Sequence, residues 1–187
     1  MKGYFQFLLT GLVLGLFTEA ELKLVAGVNP PAFKIALFAY PVIMTISYAG
    51  SKLVDHFISS KWRGDILHYI AAGFFGLMVE WTLLGNGPGS NALQIGMFAM
   101  WTTFCFGPRI LTRNSPVIEK GRRKFGSAFL ITAILLTTFI LLTPSPKAKI
   151  VITVLGLSGT YLIWSLWLLI LGWQSTRSKQ FPNIIIQ

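Results

Sequence analysis

The chain has 187 residues, 53% of them hydrophobic and only 12% charged, with a net charge of +10 and a mean hydropathy of +0.65. Soluble domains use about 25% charged residues, so this composition excludes a water-soluble globular domain. The basic residues fall between apolar runs rather than on one face, which excludes nucleic acid as the partner, and the single cysteine, Cys105, excludes a disulfide framework and a cysteine-built metal site.

Six apolar runs follow in order, at about 4–24, 33–54, 66–84, 92–107, 126–143 and 150–173. A helix needs about 20 residues to cross the hydrocarbon core. Lipid offers no partner to backbone amides, and these runs lack the alternation of barrel strands. The reading is an all-α, polytopic integral membrane protein: six transmembrane helices in one bundle, one domain over residues 1–187, with short loops and antiparallel neighbours.

The first run carries Gly11, Gly15 and Glu19 at i, i+4, i+8. Small residues mark faces where helices pack closely, so Glu19 is a candidate for the bundle interior. Against this, Glu19 and Lys23 form a favourable i, i+4 pair, and Glu21 beside them predicts that the helix emerges into water at Thr18. Lys2, the apolar stretch 4–17 and small residues Thr18 and Ala20 resemble a signal peptide, but the segment is read as a retained first span. In the second run Pro41 leaves the Leu37 carbonyl without its usual donor and predicts a kink, with Tyr40 and Thr45 facing a cavity.

Between the second and third runs, Asp55, His56, Asp65 and His68 cluster around a predicted loop from Lys52 to Asp65. No metal-ligand spacing supports a metal site, and the adjacent Lys61 and Arg63 suit ion pairs. A two-haem bundle needs four axial ligands, and the chain has two histidines. The third run holds the clearest intramembrane acid, Glu80, on one face with Gly73 and Gly76. Ionisable residues inside spans are costly and are the default place to look for function. Helices 1 and 3 run the same way in this topology, so Glu19 and Glu80 can reach similar depth and titrate as a unit. Candidate donors to Glu80 are Gln94, Tyr40 and Tyr161.

Gln94 opens the fourth run and shares a face with Trp101 and Cys105. The basic run Lys120, Arg122, Arg123 and Lys124 precedes the fifth, as a topology determinant or a seat for anionic headgroups. Ser158 and Tyr161 lie in the outer half of the sixth. Gly156-Leu157-Ser158-Gly159 resembles the G-x-S-G of rhomboid intramembrane proteases over four residues. Such a serine needs a histidine on a later span, and none follows, so the hydroxyl lacks its base. Six spans in a chain of this length are similar to the substrate-binding subunits of energy-coupling-factor vitamin transporters, an architectural similarity with no motif to carry. The chain also holds 15 Phe, 6 Trp and 5 Tyr. Trp62, Trp81 and Trp173 suit an interfacial belt, while the deeper Trp101, Trp164 and Trp167 fill helix contacts or stack on a bound lipid, carotenoid or other pigment.

With the amino terminus inside, twelve Lys and Arg fall on that side and four on the other. That asymmetry places both termini in the cytoplasm, in the inner membrane if the cell is bacterial. Three functions follow. The first is an accessory or structural subunit of a larger membrane complex, contacting membrane lipids and other integral subunits, with the apolar tail 181–187 as a docking element. The second is a small-molecule binding or transport component with an outward-facing polar pocket lined by Glu80, Gln94, Tyr40, Trp101 and Tyr161. The third is an intramembrane lipid- or isoprenoid-modifying enzyme with Glu80, and Glu19 beside it, as proton donor or base.

Overall fold

A computed structural model describes residues 2–82 and 91–180, and every regular element in it is helical. Helix α1 (Lys2–Glu19) runs directly into a π-helical turn (Ala20–Val25); α2 spans Ala32–Phe57, α3 Lys61–Thr82, α4 Asn91–Leu111, α5 Pro116–Leu142 and α6 Pro146–Gln180. Among the described residues, α2, α5 and α6 are long and apolar enough to cross a membrane, which supports a membrane location.

Local chemistry sets the helix ends. Between the π-turn and α2, Gly27 (φ 77°) and Asn29 (φ 54°) take left-handed backbone, which glycine tolerates freely and asparagine better than most residues. Pro30 and Pro31 then reverse the chain into α2, the Ala32 amide bonding to the Asn29 carbonyl at 3.0 Å. The α2–α3 connection is shorter than the sequence predicts. Helix α2 continues through Asp55 and His56 to Phe57, and α3 starts at Lys61, so the expected loop from Lys52 to Asp65 is mostly helix. Helix α5 likewise starts ten residues before its apolar run, at Pro116, with extended Ser115 before it and Glu119 in its first turn. Proline at the first helical position and an acid in the first turn both favour a helix start, so Lys120, Arg122, Arg123 and Lys124 are helical.

Helix α4 is the axis of the bundle and touches all the other helices. Residues 101–111 are buried without interruption, as a helix surrounded by neighbours requires. Around it, glycines admit large side chains. Gly11 faces Met44, Gly15 faces Tyr40, Gly73 faces Phe98 and Gly76 lies against the Cβ and ring of Trp101, each at a separation that leaves no room for a methyl group. The bundle exterior is apolar, with Phe38, Leu130, Ile134 and Phe139 all more than 60% exposed. That surface suits lipid rather than water.

Alternating helix directions give the bundle two ends. The near end holds the start of α1 and the α2–α3 and α4–α5 turns; the far end holds the π-turn and the starts of α2, α4 and α6.

Candidate functional site: two buried polar layers

The far-end layer is built from the predicted residues, joined in an unpredicted way. Tyr40 and Trp101 stack face to face, centroids 6.1 Å apart and planes 2° apart. The Tyr40 hydroxyl donates to Glu19 Oε1 at 3.1 Å, and Trp101 Nε1 donates to Glu80 Oε1 at 3.0 Å. Gly15 and Gly76 provide the clearance for this stack, each lying against one of its rings. The small-residue faces of α1 and α3 thus bring the acids to a common depth, connected through two aromatic rings, and Glu19 lies within Coulombic reach of Glu80. Glu80, Tyr40 and Trp101 are all buried.

The other predicted members sit nearby with different partners. Gln94 accepts a hydrogen bond from Trp81 Nε1 at 2.9 Å, clasping α3 to α4 above Glu80. Tyr161, fully buried, donates to the Leu14 carbonyl at 3.0 Å and lies 2.5 Å from the Thr18 hydroxyl. Ser158 packs against Gly96 as a helix contact. Thr45, expected to face a cavity, is exposed instead, bonding to the Pro41 carbonyl at 2.7 Å and to Tyr4 at 2.8 Å.

The end of helix 1 departs from its expected emergence into water. Thr18 and Glu21 are both buried. The cause is the π-turn: wider than an α-helical turn, it carries Glu21 inward to accept a hydrogen bond from Thr137 of α5. The other carboxylate oxygen, Oε2, is buried with no hydrogen-bond partner.

The near-end layer is the arrangement that sequence reasoning missed. Asp65, fully buried, accepts from Arg109 Nε at 3.0 Å and from both terminal nitrogens of Arg113. Arg109 reaches on to α2, donating to the Ser51 carbonyl at 2.8 Å, the Ser51 hydroxyl at 2.7 Å and Asp55 at 2.6 Å. One guanidinium therefore ties α2, α3 and α4 together. Gly172 of α6 passes close behind Asp65, where an added Cβ would sit 3.3 Å from Oδ2. Asp65 pairs with Arg109 and Arg113, which the sequence reading did not single out, because α4 continues to Leu111, about one turn beyond its expected apolar run. A signal was present: Arg109 and Arg113 are spaced i, i+4 at the end of the fourth run, on the same side of the bundle as Asp55 and Asp65. Beside the network, Ser47 and His68 both lie within hydrogen-bond distance of the Cys105 carbonyl, at 3.0 and 3.3 Å. Among the described residues no three His, Cys, Asp or Glu side chains gather as a metal site.

A cavity of about 380 Å³ opens beside this network. Its lining includes Lys52, Lys61, Arg109 and Arg113, the carboxylate of Asp55, and the hydroxyls of Tyr48, Ser51, Ser59 and Thr112. A second, apolar cavity of about 280 Å³ lies between α1 and α5, walled by Leu9, Val13, Phe125 and Phe129, with Arg122 at its rim. In the basic run, Arg123 pairs with Glu119 at 2.7 Å. The deep tryptophans pack on other rings: Trp164 meets Phe125, Phe129 and Tyr161. The apolar tail 181–187, expected as a docking element, lies outside the described residues. No protein family, curated protein or solved structure matches the chain.

Proposed function

We propose that the protein is a six-span integral membrane protein, both termini cytoplasmic, that acts as a small-molecule binding or transport component with its ligand site at the near end of the bundle. The observation that carries this reading is the cavity of about 380 Å³ whose wall is anchored by the buried Arg109–Asp65 network. Small-molecule sites run from roughly 300 to 1,000 Å³, with a few polar groups placed by a rigid surround. Here the surround is rigid for a stated reason. Arg109 is held by four hydrogen bonds from two helices, so the cationic wall is organised before a ligand arrives.

The remaining helices α1, α3 and α4 complete the six spans in this reading. With the π-turn included, α1 covers 24 residues, α3 covers 22 and α4 covers 21. At about 1.5 Å per residue each reaches roughly 30 Å, the thickness of the hydrocarbon core.

Native mass spectrometry of the gently solubilised protein tests the reading. The expected result is a small-molecule adduct on the wild-type chain that is lost from the Lys52→Gln/Lys61→Gln variant. A stoichiometric protein partner with no adduct would overturn it in favour of an accessory subunit.

A further inference from the structure

The apolar cavity between α1 and α5 is a separate feature from the near-end cavity. The two helices run the same way. Toward the far end they are joined, where Phe17 meets Phe129 edge to face at 5.0 Å and Thr137 donates to Glu21. On the near-end side of that contact they part around a crevice of about 280 Å³. Buried Leu14, Leu111 and Phe125 make its floor, and Leu9 and Val13, each about half exposed, make its outer wall. Gly126 lines the same space, and a Cβ added to it would meet nothing within 4 Å. Gly11, Gly15, Gly73 and Gly76 each admit a neighbour's side chain, whereas the room at Gly126 is left unfilled by protein.

One end of the crevice carries a cation. Arg122, Phe125, Gly126 and Phe129 share a face of α5 at i, i+3, i+4 and i+7. Arg122 reaches back to α4 and donates to the Leu111 carbonyl at 3.3 Å. That bond holds the guanidinium at the rim and uses one of its five N–H groups. Among the described residues no carboxylate pairs with Arg122, and Glu119, the acid in the first turn of α5, is taken by Arg123. Two exposed lysines, Lys120 and Lys124, flank it in sequence. Helix α5 is among those apolar enough to cross a membrane, and its apolar run begins at Gly126. Arg122 therefore lies about 6 Å before that run, at headgroup level.

We propose that this crevice binds one anionic phospholipid of the near-end leaflet, an acyl chain lying along Val13, Gly126 and Phe129 and the headgroup phosphate meeting Arg122. From Arg122 to Phe129 is roughly 10 Å along the helix axis. A neighbouring helix, about 10 Å across with its side chains, is too wide to enter a crevice of this volume, whereas a single acyl chain is not. Apolar walls with no facing atoms forfeit dispersion contacts, and the chain restores them. A guanidinium matches phosphate oxygens geometrically. Net negative charge on the headgroup is preferred because a zwitterionic one brings its own cation toward Lys120 and Lys124.

The test uses the delipidated full chain in detergent, titrated with phosphatidylglycerol or phosphatidylcholine of the same acyl chains and read by native mass spectrometry. One phosphatidylglycerol per chain is expected to bind ahead of all others, about fivefold more tightly than phosphatidylcholine, the effect of about one cation near a headgroup. Arg122→Gln is expected to remove that preference and Arg122→Lys to keep most of it. Gly126→Leu enters the open space without displacing protein, so it is expected to weaken both lipids about tenfold, the equivalent of about two buried methylenes, at an unchanged melting temperature. Where Gly126→Leu lowers the melting temperature, Val13→Trp on the exposed wall fills the same space and is read in its place. The adduct is expected to persist in Lys52→Gln/Lys61→Gln, which separates it from the ligand of the near-end cavity. The proposal is overturned if the wild type binds the two lipids alike, if Arg122→Gln keeps the preference, or if the folded crevice-filling variant binds lipid as the wild type does. Loss of the adduct in the double lysine variant also overturns it, by assigning that lipid to the near-end cavity.

Discussion

Glu80 shows how one hydrogen bond decides what a substitution means. Its Oε1 accepts from Trp101 Nε1, and the indole has no other polar atom to satisfy. Glu80→Gln retains a carbonyl oxygen for that bond, so the fold is expected to tolerate it; Glu80→Leu leaves the buried indole N–H unsatisfied and is expected to cost about 1–3 kcal/mol. Reversible unfolding in detergent measures both. If Gln abolishes ligand binding or turnover while leaving stability intact, the carboxyl group of Glu80 takes part in function. If Leu costs nothing, the Trp101 bond does not anchor the far-end layer. The acid itself was legible in the sequence because an ionisable residue on a glycine face stands out. Its donor was not, because the aromatic Trp101 reads equally well as packing, and nothing local tells an indole N–H which way it points.

At the scale of elements, glycines set how closely helices approach. Gly76 of α3 lies against the Cβ and ring of Trp101 on α4, and a Trp Cβ cannot swing away without moving its helix. Gly76→Ala is therefore expected to destabilise by about 1–3 kcal/mol through overpacking. Gly50 of α2 meets nothing within 4 Å, so Gly50→Ala is expected to be neutral or to gain up to about 1 kcal/mol from helix propensity. Paired melting curves distinguish the two, and equal effects would show that α3 and α4 are not held at this distance. The glycine faces were readable because their spacing is helical. The helix ends were less so. Counting apolar residues passed over Ser115-Pro116 and the acid that follows, a start signal that polar first turns hide. The π-turn has no such signature. It coincides with the contact between Glu21 and Thr137, which joins residues far apart in the chain and is not encoded locally.

For the whole molecule, the proposed six-span arrangement puts twelve cationic residues on one side and four on the other, and so predicts an orientation. Cys105 is buried, so cysteines introduced elsewhere can be labelled without removing it. Asn114→Cys, in the α4–α5 turn, and Ser145→Cys, before α6, flank a single helix. A membrane-impermeant maleimide is expected to reach Ser145→Cys from outside intact cells and Asn114→Cys only from inverted vesicles. Labelling of both from one side would remove α5 from the set of spans. This alternation follows from composition and loop charge alone. The Arg109 network does not, since its partners are brought together across 44 and 54 residues of chain, a proximity fixed only when three helices pack.

Helix α6 has 35 residues, so at about 1.5 Å per residue it is roughly 52 Å long, more than the roughly 40–45 Å of a bilayer with its headgroups. Its ring-and-cation pair, Trp173 with the Arg177 guanidinium 4.0 Å from the ring centroid, suits the headgroup level just beyond Gly172, where α6 passes behind Asp65. In the six-span reading the end of α6 therefore reaches past the headgroups on the near-end side. A cation held at that level, such as Arg177, is expected to attract nearby anionic headgroups in a salt-dependent way, an anchoring effect that fades within about a Debye length.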